Sequence, residues 1–249
     1  MIELSLIGIG TGNPRHLTLQ AIDAMRSADL ILIPLKGAQK DDLAGLRRRI
    51  CADHCAPDCQ VIEFPLPVRD ASHADYRQGV DDWHDAIAQA WLGQIRQYLP
   101  EGGKLAFLIW GDPSLYDSTL RIAERLTAHL PLQTQVIPGI TAIQALCAAH
   151  AIPLNTIGAP VHVTTGRNLR DHGWPAESDS VVVMLDGSCS FQTLPPKDLY
   201  IWWGGFVGMP EQILLKGPLA EIGSRIIETR AQARAAHGWI MDIYLLRRV

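Results

Sequence analysis

Apolar residues fall along this chain in short blocks of two different periods. The runs Leu4 to Ile7, Leu30 to Ile33, Val61 to Leu66, Leu105 to Ile109 and Thr134 to Ile137 are short and stop at glycine, proline or polar residues, which reads as buried strands. Between them the apolar positions take helical spacing: Leu19, Ile22 and Met25, then Val80, Trp83, Ile87, Trp91 and Ile95 in a long helix predicted over 76–98, then a helix over 120–130. Strands alternating with helices predict a mainly parallel sheet. From Val136 onward the rhythm changes, with strands at Val161 to Thr164, Val181 to Leu185, Tyr200 to Trp203 and Trp239 to Leu246, and a helix over Leu219 to Gln232. The change predicts an α/β fold of two domains, 1–117 and 118–249, with the 120–130 helix bridging them and the last strand at an edge or in a hairpin.

Three of the strands run directly into glycine/proline turns. These are Gly8-Ile9-Gly10-Thr11-Gly12-Asn13-Pro14, Trp110-Gly111-Asp112-Pro113-Ser114-Leu115-Tyr116, and Pro138-Gly139-Ile140-Thr141-Ala142. Ligands of open α/β sheets bind just beyond the carboxyl ends of strands, so the turns are the first candidate site. Glycine lets bare backbone approach a small molecule. Asp112, set between Gly111 and Pro113, has a carboxylate placed to accept hydrogen bonds. Thr141 precedes the apolar stretch Ile143, Leu146 and Cys147, where it either caps a helix or offers its hydroxyl and amide to a ligand.

Composition narrows the class. The chain has 249 residues, 47% of them hydrophobic, enough for a core that needs no metal or disulfide. Nowhere do 18 apolar residues run together, so the expectation is a soluble, cytoplasmic protein that binds no membrane. A net charge of −4 gives no global positive field for nucleic acid. Arg47, Arg48 and Arg49 read as a solvated helix face. Cys51, Cys55 and Cys59, with His54 among them, depart from the usual Cys-x2-Cys zinc spacing and read as reduced thiols in a surface loop; no metal is expected.

A dinucleotide site is disfavoured by two departures. The third glycine of the first turn comes one position early, and the second strand ends in Pro34-Leu35-Lys36, without the acidic residue that holds a ribose. The turns Gly8 to Pro14, Gly111-Asp112-Pro113 and Pro138 to Ala142, followed late in the chain by Gly217-Pro218-Leu219, together resemble the tetrapyrrole methylase family over essentially the whole sequence. The resemblance implies a two-domain α/β enzyme with a mainly parallel sheet in the first domain and a mixed sheet in the second. It also implies a homodimer, and S-adenosyl-L-methionine, with S-adenosyl-L-homocysteine as product, folded into the cleft between domains. Carried over by motif, Thr11, Trp110, Gly111, Asp112, Leu115, Thr141 and Ala142 line the cofactor, and Leu185 takes the position whose backbone meets adenine; a further contact falls near Phe206 and Val207. Leu115 and Leu185 also read as ordinary apolar core.

Within the family, Pro67-Val68-Arg69-Asp70, the Trp83-His84 pair and Tyr200-Ile201-Trp202-Trp203-Gly204-Gly205 resemble the branch that works in cobalamin biosynthesis. That branch adds a methyl group at C1 of a corrin precursor and releases an acetyl group as acetate, so the implied partner is a tetrapyrrole substrate. Relatives acting on uroporphyrinogen carry an aspartate at the end of the second strand, where this chain has Pro34, so the general base is open among Asp70, His84 and Asp112. Lys36, Arg69 and Arg167, on loops at strand ends, are the candidate cations for substrate carboxylates. The alternatives are a methylase of the same fold acting on another tetrapyrrole, a diphthamide intermediate or ribosomal RNA, and a tetrapyrrole carrier without catalysis.

Overall fold

A computed structural model describes residues 1–35, 41–69 and 75–249. Its contacts divide the chain into two units, Met1–Gly10 with Pro14–Ile140, and Thr11–Asn13 with Thr141–Val249. The first unit therefore runs past the expected boundary near residue 117. The reason is strand pairing: Leu132–Ile137 lies beside Ile2–Gly8 in one sheet, and the intervening helix packs into that unit's core rather than bridging to the second.

In the first unit the elements are β1 (Ile2–Gly8), α1 (Leu19–Ser27), β2 (Leu30–Leu35), α2 (Asp41–His54), β3 (Gln60–Pro65), α3 (Tyr76–Tyr98), β4 (Gly103–Ile109), α4 (Thr119–Leu126) and β5 (Leu132–Ile137). The sheet order is β3-β2-β4-β1-β5, and each of these pairings is parallel. Successive side chains of a strand point to opposite faces. Leu4, Leu6, Leu30, Leu32, Leu105 and Phe107 accordingly pack on Ile87, Trp91 and Ile95 of α3 and Ile122 and Leu126 of α4. Ile7, Ile31, Ile33, Ala106 and Leu108 face Met25 of α1 and Ile50 and Cys51 of α2. Both faces are covered, which is why these strands read as continuous apolar runs. Trp91 stacks on Phe107 at 4.0 Å between ring centroids. Helix starts are capped as the sequence allows, Thr18 accepting from Ala21 N–H at 3.0 Å and Asp75 from Arg77 N–H at 2.8 Å.

Two surface readings change. Arg48 and Arg49 are exposed, but Arg47 is half-buried and donates from Nε to Leu108 O at 2.8 Å, tying α2 to the end of β4. Cys51 is buried in the core rather than in a surface loop, because it lies on the sheet-facing side of α2; Cys55 and Cys59 pack against the same cluster. Among the described residues no group of His, Cys, Asp and Glu has metal-ligand geometry. No helix among them is long and apolar enough to cross a membrane.

His84, on α3, is 3% exposed, and neither ring nitrogen has a hydrogen-bond partner among the described residues. Burial, aided by Arg125, holds its pKa below 6.5. A depressed folded-state pKa contributes stability that is present above the unfolded value, about 6.5, and lost as pH falls below it. His84→Leu is expected to flatten the acid limb of thermal stability between pH 7 and 5, by up to about 1.4 kcal/mol per pH unit for one proton. An unchanged slope in melting scans would remove His84 as the cause.

In the second unit, α5 (Ala142–His150), β6 (Val161–Thr165), α6 (Gly166–His172), β7 (Ser180–Met184), β8 (Leu199–Gly205), β9 (Ile213–Pro218), α7 (Leu219–His237) and β10 (Asp242–Arg248) follow in order. The sheet runs β6-β7-β10-β8-β9, with β6 and β7 parallel and the other neighbours antiparallel, so it is mixed. The last strand lies in the middle, not at an edge, because it pairs on both sides, with β7 and β8. Val181, Val183, Ile201, Trp203, Tyr244 and Leu246 form one face of this sheet and pack on Leu219 and Ile226 of α7.

Candidate active site

In the first unit the parallel register brings the ends of β1, β4 and β5 side by side, and the three turns meet there. Gly10 N–H donates to Gly111 O at 3.2 Å and Gly111 N–H returns to Gly10 O at 2.8 Å, zipping the first turn to the second. Asp112 fastens the third. One carboxylate oxygen accepts from Gly139 N–H at 2.8 Å, the other from Ser114 N–H at 2.8 Å and from the Ser114 hydroxyl. Burial works to raise this carboxyl's pKa, but the hydrogen bonds from Ser114 and Gly139 outweigh it and hold the group below its ordinary value. The Asp112 carboxylate thus braces one turn against another through three accepted hydrogen bonds.

Glycine is required at this junction for two different reasons. A Cβ on Gly139 would lie 2.1 Å from Gly111 O, and one on Gly8 would lie 2.5 Å from Gly139 N, so backbone touches backbone. At Gly111 φ is +66°, and among the described residues no atom beyond its chain neighbours lies within 4 Å of where its Cβ would stand, although the residue is buried. Tyr116, at the end of the second turn, is held at φ +49° with its ring exposed. Trp110 and Leu115 are half-buried. Thr11, which follows Gly10, is 3% exposed, and its hydroxyl has no partner among the described residues. A buried hydroxyl without a partner in the protein is a group that a bound polar ligand can satisfy.

In the second unit Thr141 engages its own helix: Gln144 Oε1 accepts from the Thr141 N–H at 2.9 Å and from its hydroxyl. Thr141 is the N-cap residue of α5, in a capping-box pattern with Gln144, and Ala142 opens the helix beside it, half-buried. Leu185 follows the last residue of β7. It is 67% exposed with φ +53°, so it is not core. Phe206 is also left-handed, at φ +50°, and is buried against Trp239 and His237.

Lys36 and Asp70 lie outside the described residues. Arg69 is exposed on the chain after β3, and Arg167 is exposed in the first turn of α6. His84 is buried on α3, and the charges acting on it are those of Arg125, Asp81, Arg121 and Asp85, on α3 and α4. Ser114, Gly8 and Gly139 are site-building residues whose roles pattern reading misses. Ser two positions after Asp is a legible signal for an Asx-type turn, whereas the Gly8–Gly139 contact depends on pairing across about 130 residues of chain.

The profile of the Tetrapyrrole (Corrin/Porphyrin) Methylases matches residues 3–223. A protein of Sinorhizobium sp named precorrin-6A synthase [deacetylating] is 49% identical over 251 residues, covering 100% of this chain and 96% of that one. The crystal structure of a cobalamin synthesis related protein (CobF) from Corynebacterium diphtheriae superposes with a TM-score of 0.85 at 43% identity, covering 100% and 99% of the two chains. The uroporphyrin III C-methyl transferase of Thermus thermophilus, at 18% identity and a TM-score of 0.62 over 98% of this chain and 92% of that one, shares the fold. With a matching family profile over most of its length, a parallel sheet followed by a mixed one and the strand-end turns in their order, the chain belongs to the tetrapyrrole methylase family.

Proposed function

We propose that the protein is an S-adenosylmethionine-dependent C-methyltransferase of cobalamin biosynthesis, methylating C1 of precorrin-5 and releasing acetate to give precorrin-6A. The observation that carries this reading is the 49% identity, over the whole chain, to a protein named precorrin-6A synthase [deacetylating]. The cofactor residues are Thr11, Trp110, Gly111, Asp112 and Leu115, with Thr141, Ala142 and Leu185. S-adenosylmethionine supplies a methyl group already activated as a sulfonium, so no strong base is obligatory for its transfer. The chain's contribution is alignment and exclusion of water, worth roughly 7–11 kcal/mol when reacting atoms are well placed. Backbone at Gly111 and the Thr11 hydroxyl bind and orient, while the Asp112 strut keeps the turns rigid.

Arg69 and Arg167, with Lys36, meet the carboxylates of the tetrapyrrole. Acetate arises when water adds to the substrate's acetyl carbonyl and the carbon–carbon bond breaks, its electrons passing into the conjugated macrocycle and making C1 nucleophilic. The reading takes the protein as a cytoplasmic homodimer without a resident metal; its net charge of −4 supports the absence of a nucleic-acid partner.

A rapid-quench time course with precorrin-5 and methyl-labelled cofactor tests the reading. Acetate and labelled corrinoid are expected to rise together, one for one. Label entering a tetrapyrrole without acetate would place the chain with another methylase of the family, and acetate appearing in full without cofactor would break the coupling.

A further inference from the structure

Leu185 sits in a backbone region that costs a bulky residue energy, and it does so with its side chain exposed, where no packing of its own compensates. Something next to it must hold it there. Asp186, 5% exposed, gathers four donors on one carboxylate: Ser188 N–H at 3.0 Å, Ser190 N–H at 2.5 Å, Ser190 Oγ at 2.9 Å and Tyr244 Oη at 2.6 Å. The backbone carbonyl of Asp186 is gripped separately by Arg230 Nη2 at 3.0 Å. Arg230 is fixed in turn by Asp242, whose carboxylate accepts from Arg230 Nε at 2.9 Å and from Trp203 Nε1 at 3.0 Å. On its remaining side Asp186 lies against bare backbone, since a Cβ on Gly166 would fall 2.3 Å from its Cγ. Asp186, Ser190, Trp203, Arg230 and Tyr244 are buried in the second unit, and the network converges on the residue that follows Leu185.

We propose that Asp186 is a positioning residue for nucleobase recognition: through Tyr244, Arg230 and Asp242 it locks the turn after β7 and so holds the Leu185 backbone in the left-handed conformation that meets the adenine edge. The inference rests on the assignment of Leu185 to the adenine position made above. Its consequence is specificity. A backbone held in one conformation presents fixed donors and acceptors and distinguishes a 6-amino from a 6-oxo purine, whereas a relaxed turn distinguishes them poorly.

Binding of S-adenosylhomocysteine and of its inosine counterpart is measured by calorimetry on the full chain. The wild-type protein is expected to prefer the adenosine compound, and Asp186→Asn, whose amide offers donors where four donors already point, to lose about tenfold of that preference. Adding Leu185→Gly to Asp186→Asn is expected to restore part of the loss, because glycine enters the left-handed region without strain; a residue that only stabilises the fold would show no such rescue. Tyr244→Phe, which removes one donor of the four, gives the same trend more weakly and serves if Asp186→Asn fails to fold. Folded variants with an unchanged adenosine-to-inosine ratio overturn the proposal. A wild-type protein that binds neither compound overturns the cofactor reading and this proposal with it.

Discussion

Gly139→Ala is expected to cost the first unit about 3 kcal/mol, the upper range for an added methyl group in a packed site, because the new Cβ would stand 2.1 Å from Gly111 O and 2.7 Å from Gly8 C. Those neighbours are backbone of two other strand ends, so no side chain can swing aside. The β5 turn must retreat, and the Asp112 to Gly139 hydrogen bond goes with it. Gly111→Val separates stability from binding. Its Cβ meets no described atom beyond the chain neighbours within 4 Å, and the left-handed φ of +66° costs roughly 1–2 kcal/mol. The branched side chain stands where bare backbone is proposed to meet the cofactor, so most of the affinity for S-adenosylhomocysteine is expected to vanish from a protein that still folds. Denaturant unfolding and calorimetry on both variants check this. Wild-type stability for Gly139→Ala, or undiminished binding by a folded Gly111→Val, would show that the turns are not built as described.

Asp242→Ala is expected to be the most damaging single change in the second unit. Arg230 and Asp242 are 10% and 6% exposed at their side chains, and removing the carboxylate leaves a buried guanidinium without its counter-charge, at a cost of about 3–5 kcal/mol. Trp203 Nε1 loses its acceptor at the same time. The pair Arg48–Glu63 supplies the contrast, with side chains 42% and 34% exposed; Glu63→Gln is expected to cost under about 1 kcal/mol. The comparison is a pair of urea titrations. Equal losses for the two variants would mean that Asp242 does no more for the fold than a surface charge.

Both sets of variants bear on how far the chain could be read without coordinates. The 3.6-residue stripe from Val80 to Ile95 marks α3 with the bounds the structure has, Tyr76–Tyr98, because a long helix burying one face repeats its signal over six turns. The apolar runs of β1, β2 and β4 are equally plain, since strands covered on both faces are largely apolar, whereas the edge strands β3 and β5 are mostly exposed. The second sheet is less so. Strand β9, Ile213–Pro218, escapes pattern reading: its residues are half-buried or exposed at all but one position, and so carry no clear period.

The site divides along the same line. The sequence alone determined the three turns, their glycines and the family they signal, because the local demand for positive φ or close backbone approach selects the same residue types wherever it occurs. What the turns do to one another was decided only by tertiary structure. Asp112 looks like a free carboxylate until register places Gly139 N–H 2.8 Å away and makes it a brace between turns. His84 reads from the sequence as open to reactants, yet it is buried on α3, and Leu185 looks like core until β7 ends one residue before it. In each case a side chain's chemistry is fixed by its type, but its role depends on which distant segment supplies its partner, and strand pairing over a hundred or more residues is not written in local periodicity.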